Sequence, residues 1–243
     1  MTHRTTKLIL MATLFLGACQ AVPKVIPATG TGAIVGTVTA RPHADLIDKI
    51  KNQDASLSAG YGAAATGGIT YFGKMLNYPE IDEIYVGLVG AISPAPAIHD
   101  LVATENGLVP RGIALAPGDT LRISNETSES LTFYAAGDEP GQLDEGAPIP
   151  PGQTGELTVS SEGTLELGVD ERDDLEGVVL SRAGMATRRL KSGAPYTFNN
   201  LQPGSYQLIF WYWRLGEMHR TAVIKSGTVL VENEELAVDR LFE

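Results

Sequence analysis

An all-β chain folded as an antiparallel Greek-key β-sandwich is what this sequence predicts, on three observations. Turn signals built on Pro-Gly, Asn and Asp recur from residue 81 onward at roughly the 8–12-residue spacing of sandwich strands. The runs between them are short and rich in Val, Ile, Leu, Thr and aromatic residues, which suit a pleated, half-buried surface. Gly at 27 and Pro at 14 favour many short elements joined by turns. With 43% hydrophobic residues in 243, the chain can build one or two packed cores and is too apolar to stay disordered.

The first 18 residues read as a removable signal peptide. Arg4 and Lys7 form a short basic region, and 8–16 is an apolar run too short to cross a bilayer as a mature helix. Leu16-Gly17-Ala18-Cys19 follows and resembles the lipobox of bacterial lipoproteins. Small residues there fit the peptidase, and the cysteine thiol takes the diacylglycerol. Cys19 is the one cysteine, which excludes an internal disulfide, a CxxC redox pair and a multi-cysteine zinc site. The expectation is a chain tied through Cys19 to a membrane of the bacterial cell envelope. Gln20 stands where Asp is the usual mark of inner-membrane retention, which favours the outer membrane, facing the periplasm. Cleavage removes two basic residues and no acid, so the net charge of −11 becomes −13. The charge is acidic and no basic run of five or more exists, which argues against nucleic acid as a partner, and a charged partner would be basic or cationic.

Residues 19–32 form a Pro- and Gly-punctuated tether. The run 33–40 (AIVGTVTA) is strand-like, and 43–53 (HADLIDKIKNQ) lines Leu46, Ile47 and Ile50 on one helical face. With the Gly/Ala/Ser-rich run 56–68, residues 33–80 read as one strand plus a helical and irregular insertion. From 81 to 181 the pattern is β. Strands are expected at 84–89, 108–115, 120–124, 130–135, 155–160, 165–169 and 177–180, with loops at 91–99 and 137–148. Residues 182–243 begin with a basic interval (Arg182, Arg188, Arg189, Lys191). Strands at 196–198, 206–213, 221–224 and 228–231 follow. The 206–213 run, YQLIFWYW, is apolar on both faces near its end.

The stretch 165–180, LELGVDERDDLEGVVL, reads as strand, acidic loop, strand, and the chain is organised around it. Four ordered segments give it context. Val109-Pro110-Arg111 precedes Leu115-Ala116-Pro117-Gly118-Asp119-Thr120-Leu121-Arg122-Ile123-Ser124-Asn125. Glu162-Gly163-Thr164-Leu165-Glu166-Leu167-Gly168 enters the acidic loop, and Leu201-Gln202-Pro203-Gly204-Ser205-Tyr206-Gln207-Leu208 leads to Trp211, Arg214 and Leu215. On these segments residues 84–215 resemble a plastocyanin-like cupredoxin domain of the methylamine-utilisation type. The resemblance implies a cupredoxin-like sandwich over 81–181, with 182–243 completing it or forming a small carboxypeptidase-regulatory-like subdomain. It also implies positions for four copper ligands, which fall on Leu131, Val169, Arg172 and Leu175. A blue-copper centre takes two imidazoles, a thiolate and a weak thioether, so the expectation is a degenerate site with no metal and no cofactor.

Other candidates are weaker. His99 and His219, with Asp100 and Met218, lie on what read as separate loops without ligand spacing, and His43 stands apart. Asp170, Glu171, Asp173, Asp174 and Glu176 lack the glycine and the alternation of a calcium loop, and Arg172 interrupts them. No Ser-His-Asp or paired-carboxylate arrangement can be placed, so the chain is read as non-enzymatic. Tyr206, Phe210, Trp211, Tyr212 and Trp213 alternate faces, and one face is open to a glycan or peptide platform. The function expected is that of a binding or scaffold module whose partner is an unidentified envelope protein or glycan. A metal-binding or electron-transfer protein with an atypical site, and a carbohydrate- or peptide-binding sandwich with the Gly32–Ala40 strand and residues 195–238 in its sheet, remain as alternatives.

Overall fold

The computed structural model describes residues 24–41, 70–71, 74–75, 81–90 and 95–237. The signal peptide expected at 1–18, Cys19, the helix expected at 43–53 with His43, and the run 56–68 lie outside them. Among the described residues every regular element is a strand. In chain order these begin with β1 (Gly32–Ala40), the short pair β2 (Thr70–Tyr71) and β3 (Lys74–Met75), and β4 (Ile84–Val89). Then come β5 (Ile98–Thr104), β6 (Gly107–Val109), β7 (Gly112–Leu115), β8 (Thr120–Asn125), β9 (Phe133–Ala136), β10 (Leu143–Glu145), β11 (Thr154–Thr158), β12 (Gly163–Val169) and β13 (Gly177–Ser181). The last six are β14 (Ala186–Leu190), β15 (Pro195–Leu201), β16 (Gly204–Tyr212), β17 (Gly216–Ile224), β18 (Val229–Val231) and β19 (Glu234–Leu236).

Four larger sheets result, and they pack as two sandwiches. In the first, here the base sandwich, the sheet β15-β1-β18 with β19 on β1 faces the sheet β14-β4-β16-β17. Ile34, Val38, Val86, Leu88, Phe198, Leu208 and Phe210 fill the space between them. The second is inserted between β4 and β14. Its sheets β10-β9-β12-β13-β7 and β11-β8-β5-β6 close over Leu101, Ile113, Leu121, Ile123, Phe133, Leu167 and Val179. The pairings are mixed: β1–β18, β1–β19, β13–β7 and β5–β8 are parallel and the rest antiparallel.

The sandwich expected over 81–181 is corrected at its first strand by this pairing. The strand β4 hydrogen-bonds to β14 and β16, not to any strand of the inserted sandwich. A strand buried on both faces shows no alternation from which its sheet can be read. The burial of β4 has a two-sided cause. Ile84, Val86 and Leu88 point into the base core, while Tyr85 and Val89 join a third cluster with Ala114, Leu180, Met185, Ile209 and Trp211. That cluster is the seam between the sandwiches. The apolar double face of β16 has the same origin: Leu208, Phe210 and Tyr212 face the base core, Ile209 and Trp211 the seam.

Four strands of the two sandwiches were not expected. The loop read at 91–99 runs into β5, the loop at 137–148 holds β10, the basic interval holds β14, and β19 follows the last expected strand. In β14, Arg188 and Arg189 stand on an edge strand, where cations discourage further pairing. The Pro117-Gly118-Asp119 turn is tied down by its own carboxylate. Asp119 Oδ1 accepts the Ala97 N–H (2.8 Å) and Oδ2 the Ala116 N–H (3.0 Å), while Gly118 supplies the positive φ.

Candidate functional site at the acidic loop

The loop between β12 and β13 sits at one end of the inserted sandwich, and local hydrogen bonds decide which of its residues face inward. Arg172 N–H bonds to Val169 O (3.2 Å) and Leu175 N–H to Arg172 O (3.1 Å). These successive turns lift Arg172 out and return Leu175 to the core, where it is 0% exposed. Val169, the last residue of β12, is also buried.

The neighbouring segment is positioned by Asn125. Its side-chain NH2 donates to Glu129 O and Ile149 O, both at 2.8 Å, and its Oδ1 accepts from the Thr127 N–H (2.9 Å) and hydroxyl (2.7 Å). One buried amide thus uses its donors and acceptor on the turn that delivers Leu131. Leu131 then exchanges both backbone bonds with Ile149, at 3.0 and 2.8 Å, and its side chain is fully buried. Leu131, Val169 and Leu175 therefore belong to one apolar cluster. Three of the four positions that the family resemblance marks come together, and Arg172 does not join them.

The rim above this plug is held by charge. Glu171 receives the Thr132 N–H (2.7 Å) and hydroxyl (2.8 Å) on its two oxygens. Arg172 makes a forked pair with Asp174, Nε–Oδ1 at 2.7 Å and an Nη–Oδ2 bond at 2.8 Å, and reaches Glu105 at 3.1 Å. The other Glu105 oxygen accepts the Ser128 N–H at 2.8 Å. The electrostatics agree. Desolvation works to raise the Glu171 pKa, but the two Thr132 bonds outweigh it, and the group ends below its ordinary value. The Ser128 N–H and Arg172 hold Glu105 low, and the guanidinium holds Asp174 low. Glu105 and Thr132 went unread as partners of this loop because they lie 67 and 39 residues away in sequence.

A blue-copper centre does not fit these residues. The marked positions offer two leucines, a valine and a guanidinium already paired, and none donates to copper. Among the described residues no three His, Cys, Asp or Glu side chains gather to hold an ion.

The other candidates lie apart. His99 is on strand β5, not on a loop, and its Nε2 meets Asp119 Oδ2 at 2.9 Å with only 17% of the side chain exposed. Its sequence neighbour Asp100 pairs with Arg122 instead. His219 is on β17, also not a loop, 3.4 Å from Glu217, which Arg182 holds at 2.8 Å. The aromatic run is divided between two cores. Tyr206, Phe210 and Tyr212 pack in the base, and the face carrying Trp211 is covered by the inserted sandwich, so it is not an open platform. Trp213 stays half-buried between the guanidinium groups of Arg214 (4.4 Å) and Arg111 (5.8 Å).

No protein-family model matches the chain. No curated protein matches it. Solved structures resemble part of it. A novel purple cupredoxin from Nitrosopumilus maritimus is 15% identical, with 34% of this chain and 98% of that one covered and a TM-score of 0.30. The Cu(I) form of an amicyanin variant is 16% identical, covering 42% of this chain and all of that one, with a TM-score of 0.31. Another amicyanin variant, in the oxidised state, matches at 17%, with the same coverages and TM-score.

Proposed function

We propose that this is a non-enzymatic lipoprotein of the bacterial envelope whose inserted, cupredoxin-like sandwich has no copper centre and serves as a binding or scaffold module. One observation carries the reading. The loop end where the ligands of a blue-copper site would stand is filled by Leu131, Val169 and Leu175 and closed by the Arg172 and Glu171 bonds. A type 1 centre needs a thiolate in its inner shell, and Cys19, the only cysteine, is assigned to the lipid. The test is direct. The mature Cys19→Ser chain is given one equivalent of Cu(II) or Cu(I), dialysed and assayed for metal. Retention far below one copper per chain is expected. Near-stoichiometric copper, lost on replacing His99 or His219, would overturn the reading in favour of an atypical metal site. The anchor is tested separately, by the intact mass of the parent chain, which should carry a diacylglyceryl group on Cys19.

A further inference from the structure

One end of the base sandwich differs in chemistry from the rest of the molecule, and it is the end that receives the tether. Three segments meet there. Residues 24–31 enter β1, with the Ala28 N–H on Asn200 Oδ1 at 3.1 Å. The connection from β15 to β16 lies against β1 through the Gly32–Leu201 pairing. The turn from β17 to β18 docks on the same entry, Gly227 N–H to Thr31 O at 2.7 Å and Ala33 N–H to Thr228 O at 2.9 Å. Ile26, Val223 and Val229 are exposed here by 79%, 59% and 39%, and Val231 by 53% two residues further along β18. Lys24 and Lys225, also exposed, belong to the same segments, and Val223 and Val229 flank the turn between them on the outer faces of the two sheets. Residues 24–31, 199–207 and 221–231 hold no Asp or Glu, in a chain with 29 acids.

The opposite end is anionic. Val178 pairs with Gly112, and a side chain at Gly112 would meet Trp211 and Trp213, so the loop 170–176 lies toward the Trp211 end of β16. The nine residues of β16 rise about 27 Å from the tether end. That is more than three Debye lengths of about 8 Å at physiological salt, so the loop's carboxylates do not repel a surface at the tether end. Glu232 follows Val231 in sequence, and the acids Glu139, Asp144 and Glu162 stand together on β10 and the loops beside it in the inserted sandwich.

The geometry points to a membrane-contact surface: anionic phospholipid headgroups meet Lys24 and Lys225, and Ile26, Val223 and Val229 enter the boundary with the acyl chains. Single lysines and valines on a rigid end give weak, reversible contact, which the lipid anchor would hold in place. The inference rests on the proposed anchor only for its setting. Five residue steps of at most about 3.6 Å keep Lys24 within about 18 Å of an acylated Cys19, so this end is the part of the fold nearest the bilayer.

The test uses the mature Cys19→Ser chain, which carries no lipid and no other thiol. It should float with vesicles of phosphatidylcholine and phosphatidylglycerol at low salt, and not with phosphatidylcholine alone. Replacing Lys24 and Lys225 together by Gln should weaken flotation about 25-fold, roughly fivefold for each lysine. A polarity-sensitive dye on Val223→Cys should shift to the blue on those vesicles, and the same dye on Asp173→Cys should not. Absent or lipid-indifferent flotation, flotation unchanged by the lysine pair, or a blue shift at position 173 would each overturn the contact surface. None of these outcomes bears on the mass of the acylated parent, so the anchor and the surface fail separately.

Discussion

Leu131 and Arg172 show two ways in which single residues hold the loop end together. Leu131 is fully buried in a close-packed cluster. Leu131→Ala should cost about 2–5 kcal/mol in urea unfolding, since lost transfer energy adds to an unfilled cavity. Arg172 works by charge at a half-open rim, where its partners Glu105 and Asp174 are 51% and 63% exposed. Arg172→Met should therefore leave the urea midpoint nearly unchanged, while amide exchange across 170–176 accelerates. Acid has a defined sign here. The carboxyls of Glu171, Glu105 and Asp174 are held below their ordinary values, so their contribution is fully present above that range and fades as pH falls through the lowered values. Loop protection measured by exchange should fall as the pH drops below about 4.5, the ordinary Glu value. Glu83 has the opposite sign. Burial raises its pKa despite Arg189 and the N–H groups of Arg111 and Gly112, so deprotonation at higher pH counts against the fold. Two residues of the apolar plug could be placed from the sequence, because Val169 ends a recognisable strand and Leu175 follows it. The clasp could not, since nothing local ties Glu105 to residue 172.

At the scale of elements, the seam depends on strands that serve two cores. On β7, Ile113 and Leu115 face the inserted core while Ala114 faces the seam, and Gly112 lets the indole groups of Trp211 and Trp213 come against the backbone. An added Cβ at Gly112 would stand 2.9 Å from Trp213 Cβ. Gly112→Val should therefore cost about 1–3 kcal/mol by overpacking, seen as a lowered urea midpoint. Sequence reading located β7 and β16 and the unusual double apolar face of β16. Among the strands it missed are β5, β10 and β14, whose inward residues are small, few or long-stemmed arginines, so that no alternating apolar signal marks them.

The whole molecule is divided in charge as well as in structure. Residues 98–181 hold 17 of the 29 acids and three of the 18 basic residues. The negative charge thus belongs to the inserted sandwich, whereas the described base, counted over 24–41, 81–90 and 182–237, carries a small positive excess. Two chain crossings and the seam join the units, and Trp211 is buried at its centre against Tyr85, with ring centroids 5.8 Å apart. Trp211→Ala should cost about 3–5 kcal/mol and separate one calorimetric transition into two, because the seam is what couples two otherwise complete cores. A single transition at an unchanged midpoint would show that the crossings alone provide the coupling.

What the sequence by itself determined is chemical and local. Turn spacing and β-branched runs settle the all-β class, and residue types at the acidic loop rule out a thiolate–imidazole copper set. What only the tertiary structure decided is which strands share a core. Strand 84–89 looks like the start of the sandwich that follows it, yet it pairs with β14 and β16, about 100 residues or more along the chain. The physical reason is that backbone hydrogen bonds carry no residue identity. A strand apolar on both faces satisfies either sandwich, and the choice falls to long-range packing: Met185 over Gly87, Trp213 over Gly112, and Glu83 on the amides of Arg111 and Gly112.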